Sequence, residues 1–159
     1  MIKYCQTYPF SVIIITIILG EFINMERMLI LLKPDAYKRK LLGKIITRIE
    51  DKNFTITAMK MTTMSKKLAS EHYAHLTKLD FYPEIESYIT SAPVVAMIVE
   101  GENVIQIMRT VMGKTRWNEA LPGTIRGDYA NETTENLIHG SDSAENAEIE
   151  IKRFFKELG

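Results

Sequence analysis

The chain is short of several things, and each shortage narrows what it can be. Among 159 residues there is a single cysteine, Cys5, so no disulfide can close within the chain. A reducing compartment, the cytoplasm, is the expected setting. Neither sign of charge is in excess, since 20 Lys and Arg balance 20 Asp and Glu. That balance argues against a general nucleic-acid binder and against a membrane-surface protein, while leaving room for a local basic pocket. There is no internal repeat, no low-complexity tract and no sign of a second domain. The length suits one domain with a real core.

No apolar run is long enough to span a bilayer, which takes about 20 residues. The nearest is Phe10 to Leu19, Phe-Ser-Val-Ile-Ile-Ile-Thr-Ile-Ile-Leu. Lys3 ahead of it resembles a signal-peptide start, but no small-x-small cleavage site follows, and the segment lacks the arginines of a transit peptide. The favoured expectation is that residues 1–24 are an apolar extension ahead of a start normally placed at Met25. Residues 25–159 then form the functional domain, and no membrane partner is expected.

The remainder alternates between short apolar runs and amphipathic stretches. Met28 to Leu32 predicts a strand stopped at Pro34, which has no backbone N–H. Leu42, Ile45, Ile46 and Ile49 recur at helical spacing. Phe54 to Met61 reads as a second strand, and Ser65 opens a helix with Ala69, Tyr73 and Leu76 on one face. Phe81 to Ile89 is a further short helix. Val94 to Val99 is a buried central strand, and Val104 to Val111 a helix ended by Gly113. A loop without regular structure is expected from about 114 to 135. Leu137 to His139 then forms a last short strand. Asp142 is expected to cap the final helix, with Glu145 completing a capping box and Ala144, Ala147, Ile151, Phe154, Phe155 and Leu158 as its buried stripe. The order is that of a βαββαβ core with additions, an α+β sandwich with helices packed on one sheet.

One residue stands out chemically. In Asn136-Leu137-Ile138-His139-Gly140-Ser141-Asp142-Ser143 a histidine ends an apolar run just before a helix start. Packed structure backs its ring, and a helix N-terminus, which attracts anions, lies ahead of it. Histidine is also the side chain most readily kept as a neutral nucleophile near neutral pH. Taken alone, the pattern more often describes a packed or capping histidine. His72 and His75, three apart on a predicted helix, have no cysteine or carboxylate at a strong metal-site spacing and read as surface or packing residues.

Two further blocks stand upstream of His139, Lys33-Pro34-Asp35-Ala36 and Pro122-Gly123-Thr124-Ile125-Arg126-Gly127-Asp128. In this order and at these separations the three blocks closely resemble the nucleoside diphosphate kinase family, from about Met25 to about Leu158. The resemblance implies a ferredoxin-like βαββαβ sandwich built on a four-stranded antiparallel sheet. It implies ping-pong transfer of the γ-phosphate from a nucleoside triphosphate to a nucleoside diphosphate through phosphohistidine at His139, attacking through Nδ1. The alternative reading is a nucleotide-binding or interaction module that kept the fold and lost catalysis.

Residue by residue, the resemblance implies that Glu150 orients the ring and that Ser141 joins its hydrogen bonding. On spacing alone Glu150 is one more solvated helix glutamate. Lys33, Arg109 and Arg126 match the family's phosphate contacts, with Thr115 adding a hydroxyl and Tyr73 lying near the phosphates. Arginine suits phosphate because its rigid fork donates two hydrogen bonds. Phe81 matches a stacking ring for the base and Ile85 the apolar residue opposite, although spacing four also describes ordinary helix packing. Asn136 matches the residue that bonds the sugar 3′-hydroxyl. Mg²⁺ is implied on the nucleotide phosphates with no direct protein ligand, Asp142 approaching its shell through water. A homo-oligomer is implied, a hexamer in preference to a tetramer. The chain departs from the family at Lys40, where glycine is common, at Arg116-Trp117 in place of Asn-Pro, and at Thr133-Thr134-Glu135 in place of Val-Gly-Arg.

Overall fold

A computed structural model describes residues 24–156; the apolar segment before it and Leu158 lie outside the described residues. Four strands, β1 (Met25–Leu32), β2 (Thr55–Thr62), β3 (Val94–Glu102) and β4 (Ile138–Gly140), form one sheet in the order β2-β3-β1-β4. Every neighbouring pair runs antiparallel. Seven α-helices complete the described chain: α1 (Pro34–Lys38), α2 (Leu42–Glu50), α3 (Lys66–His72), α4 (Tyr82–Ile89), α5 (Val104–Met112), α6 (Ile125–Tyr129) and α7 (Ala144–Phe154).

The two central strands are apolar without alternation because both faces of the sheet are covered. Met28, Ile30 and Leu32 of β1 pack with Ile45 and Ile49 of α2 and Met108 of α5. Leu29 and Leu31 point the other way, onto Ala69 of α3, Ile89 of α4 and Ile151 and Phe154 of α7. The period of two in a strand therefore sorts one apolar run into two cores. This is the expected ferredoxin-like βαββαβ core, β1-α2-β2-β3-α5-β4. The added helices α3, α4 and α7 cover its second face.

Several local expectations needed correction. Pro34 ends the strand by opening a helix, since its fixed φ and missing N–H suit position N1. The stretch 114–135 is not free of regular structure: it holds a 3₁₀ turn at Trp117–Glu119 and helix α6. Thr124 caps α6, its Oγ1 accepting from Gly127 N at 3.0 Å. The cap of α7 is Ser143, one residue later than expected, with its Oγ accepting from Asn146 N at 3.2 Å. Ser143 has the extended backbone that a cap requires, so the Asp142–Glu145 box does not form. Asp142 instead accepts from the Asn146 side chain at 2.7 Å. Shifting the helix start leaves Ala144 exposed.

The backbone at Lys40 accounts for the glycine common at that position in the family; nothing in the structure explains the lysine. Helix α1 ends in a Schellman motif, with Leu41 N donating to Ala36 O and Lys40 N to Tyr37 O. Lys40 occupies the left-handed position at φ 57°, which costs an L residue about 1–2 kcal/mol. Lys40→Gly is expected to stabilise the fold by about 1 kcal/mol. Thermal unfolding would show a midpoint higher by about 2–4 °C; an unchanged or lower midpoint would contradict the assignment.

Candidate active site

His139 is the middle residue of β4 and pairs with Leu31 of β1, so its backbone is fixed by the sheet. Its side chain is 27 % exposed and lines a cleft of about 1400 Å³. Ring Nε2 lies 3.0 Å from Glu150 Oε1 on α7. The second carboxylate oxygen accepts from Ser141 Oγ at 2.5 Å, and Ser141 Oγ accepts in turn from Leu29 N of β1 at 3.1 Å. Ser141 is fully buried behind the cleft. The relay thus starts on a central strand and ends on the imidazole.

The ionisation of Glu150 sets the tautomer. Burial alone would raise its pKa, but hydrogen bonds from His139 and Ser141, together with the nearby imidazole charge, outweigh burial and hold it below the usual carboxylate value. An ionised carboxylate only accepts, so Nε2 carries the proton and, in the neutral ring, Nδ1 keeps its lone pair. Among the described residues Nδ1 has no hydrogen-bond partner. A ring held this way has one nitrogen free for nucleophilic attack and a carboxylate placed to balance the cation that forms.

His72, expected from sequence as a surface or packing residue, is a packing residue, and what it packs against is the site itself. It is buried at the end of α3, with its ring edge-on to His139 at 4.7 Å between centroids. Burial, reinforced by His139, pushes its pKa down to about 3. It is therefore a neutral wall of the site. Its position three residues after Ala69, on the buried face of α3, was the available signal. His75 is exposed.

Positive charge gathers on the other side of the cleft. Lys33 follows β1 directly and donates to Asn136 Oδ1 at 2.8 Å. Burial and then the charge of Arg126 lower its pKa to about 8, against the opposing pull of Asp35. Arg126, on α6, is buried and donates to Gly113 O and Ile138 O, both at 2.6 Å. Burial and the neighbouring Arg109 lower its pKa to about 10. Its Nε is buried without a partner among the described residues. The turn carrying it demands glycine next door, because a Cβ at Gly127 would strike the Leu121 carbonyl. Arg109 is exposed on α5 and lines the same cleft.

The remaining residues singled out from sequence converge there too. Phe81 is 49 % exposed at the start of α4, and Ile85 lies one turn on; both line the cleft. Tyr73, Thr115 and Asp142 also line it. Burial and then Glu150 raise the pKa of the Tyr73 phenol. The Asp142 pKa is lowered chiefly by its hydrogen bond from Asn146. Asn136 lines the cleft but is 2 % exposed, and its amide is engaged: Nδ2 donates to Thr133 O at 2.7 Å and to Thr115 O at 3.2 Å. The structure thus gives it the task of pinning Lys33 and two loop segments.

A basic cleft with a carboxylate-held histidine on its wall brings together residues of all three sequence blocks and Glu150 of α7. The sequence model of the family described as nucleoside diphosphate kinase matches residues 26–158. The chain belongs to the nucleoside diphosphate kinase family. It is 54% identical over 134 residues to the nucleoside diphosphate kinase of Acetivibrio thermocellus, covering 84% of this chain and 98% of that one. It is 52% identical over 132 residues to that of Methanocaldococcus jannaschii, covering 83% and 94%. Among solved structures it is similar to the Aquifex aeolicus nucleoside diphosphate kinase, at TM-score 0.81 and 38% identity, covering 84% of this chain and 97% of that one. It is also similar to the Halobacterium salinarum nucleoside diphosphate kinase in complex with CDP, at TM-score 0.79 and 43% identity, covering 82% and 87%. Members of this kinase family are phosphotransferases. Among the described residues no helix is long and apolar enough to cross a membrane.

Proposed function

We propose that the chain moves the γ-phosphate of a nucleoside triphosphate onto a nucleoside diphosphate by way of phosphohistidine at His139. The single observation that carries the reading is the Ser141–Glu150–His139 relay, which engages Nε2 and leaves Nδ1 as the ring nitrogen available at the cleft. In the first half-reaction a bond forms from Nδ1 to the γ-phosphorus while the bond to the bridging oxygen breaks, and the diphosphate leaves. The second half-reaction reverses this onto the incoming diphosphate. Lys33, Arg109 and Arg126, with the Thr115 hydroxyl and Tyr73, stabilise the charge on the transferring and leaving oxygens.

Phe81 and Ile85 grip the base between a ring and an aliphatic side chain. A clamp of this kind tolerates every base, since each offers a π-face. Asn136 contributes at the sugar 3′-hydroxyl while holding Lys33. Mg²⁺ fits as a cation carried on the nucleotide phosphates, where it supplies charge neutralisation. The described three-residue cluster with metal-ligating atoms, His72, His139 and Glu150, offers two nitrogens to an ion that prefers oxygen. Asp142 at the rim suits an approach through water. A homo-oligomer is in keeping with edge strand β2 and its exposed Met59 and Met61; the preference for a hexamer over a tetramer rests on the family resemblance alone. The single cysteine supports a reducing, cytoplasmic setting.

The test is incubation with γ-labelled ATP and no acceptor. The expected result is a base-stable, acid-labile label on the chain that is discharged by adding any nucleoside diphosphate. A chain that binds nucleotide but takes no label would be a binding module instead.

A further inference from the structure

Between Asn136 and His139 the backbone makes a turn that L residues seldom adopt. Leu137 has φ 72°, and Ile138 N donates across it to Asn136 O at 2.9 Å. Such a three-residue turn with positive φ is rare and strained, and persists only where its surroundings over-determine it. The surroundings here are specific. Leu137 O accepts from Lys33 N at 2.8 Å, and Leu137 N donates to Asp35 Oδ2 at 3.1 Å. Asp35 is 2 % exposed, so its other oxygen also needs a partner. That partner is the Tyr88 hydroxyl, donating to Oδ1 at 2.5 Å. Tyr88 belongs to α4, the helix that also carries Ile85, and the Lys33 ammonium lies 5.9 Å from its ring centroid.

We propose that Tyr88 and Asp35 are positioning residues for phosphate transfer, a strut from α4 to the Leu137 turn that sets the line of attack of His139 relative to Lys33. The proposal rests on His139 being the phosphate carrier. Neither residue touches the reacting atoms. Both act through the turn, two residues ahead of the nucleophile, and through the strand end that presents Lys33. Loss of the strut lets the imidazole and the ammonium drift relative to each other while the base clamp stays intact. The chemical step slows and nucleotide affinity does not, because in-line transfer is far more sensitive to a small displacement than binding is.

The experiment measures single-turnover labelling of the full chain by ATP with Mg²⁺ at pH 6.5, and ADP affinity by calorimetry, for Tyr88→Phe and Asp35→Asn. Tyr88→Phe is nearly isosteric and removes only the hydroxyl. Its labelling is expected to slow by about tenfold or more, with the ADP dissociation constant within about twofold of native. In Asp35→Asn the carboxamide oxygen still accepts from Leu137 N and its amide donates to the Tyr88 oxygen. Labelling within about threefold of native is expected there, a rescue that an electrostatic role for the carboxylate would not give. Tyr88→Phe labelling at the native rate would overturn the strut, as would ADP affinity falling in proportion to rate. Asp35→Asn as slow as Tyr88→Phe would overturn it too. A native chain that takes no label overturns the His139 reading itself, a result distinct from these.

Discussion

Exchange of phosphate between ATP and a second nucleoside diphosphate is expected to fall by at least about 10⁴-fold in His139→Ala, the scale of losing a nucleophile that works with its partners as a unit. Fold and nucleotide binding should survive. His139 is part of a three-residue edge strand held by backbone pairing to β1, and its side chain is partly open to the cleft. Alanine leaves that pairing intact and removes little buried surface. The variant would therefore bind ADP near the native affinity while its exchange rate, followed with labelled ATP and a second diphosphate, drops to background. Exchange continuing at a native rate would mean that phosphate passes directly between nucleotides. The relay from Leu29 through Ser141 and Glu150 would then have no chemical purpose.

Lys33→Gln should carry the second large effect, a loss in kcat/KM of about 10²–10³-fold, the usual cost of removing one fixed donor from developing charge. The pH dependence identifies the group. Burial and then Arg126 bring the Lys33 pKa down to about 8, with Asp35 pulling the other way. The ammonium is the productive form, so on the alkaline side kcat/KM for the native chain falls as pH rises through that value. Nucleotide phosphates favour the charged form, which moves the limb in kcat to higher pH than the limb in kcat/KM. In Lys33→Gln the limb near pH 8 should vanish along with most of the rate. Initial-rate measurements from pH 6 to 10 check both statements; a limb that persists in the variant would belong to another group.

The parts of the fold legible in the sequence were those whose burial is local. Met28 to Leu32 and Val94 to Val99 read as strands because a sheet covered on both faces has continuous apolar strands. Helix α2 read as a helix because Ile45 and Ile49 share one face. The parts that were missed depend on contacts between distant segments. Helices α1 and α6 are five residues long, too short for any periodicity to declare them. Pro34 and Thr124 were their only markers. The cap of α7 fell on Ser143 rather than Asp142 because backbone geometry chooses between adjacent cap-forming residues.

The site divides in the same way. His139, Lys33 and Arg126 stand in patterned blocks and were visible as candidates. Arg109, Glu150 and Ile85 look like any helix residue, and only the family resemblance picked them out. That His72 packs against the site was not legible, because its contacts with His139 and Phe154 come from elements far apart in sequence. The Tyr88–Asp35 pair is likewise separated by 53 residues. Glu135, the departure from the family that brings negative charge close, lies outside the nucleotide cleft's lining, while Thr133 and Thr134 belong to it.

The most direct test of the account is to locate the phosphate on the chain after reaction with labelled ATP, by fragmentation of the intact labelled peptide and phosphorus NMR. Phosphate is predicted on Nδ1 of His139. Phosphate on Nε2, on His72 or His75, or on a hydroxyl group would contradict it.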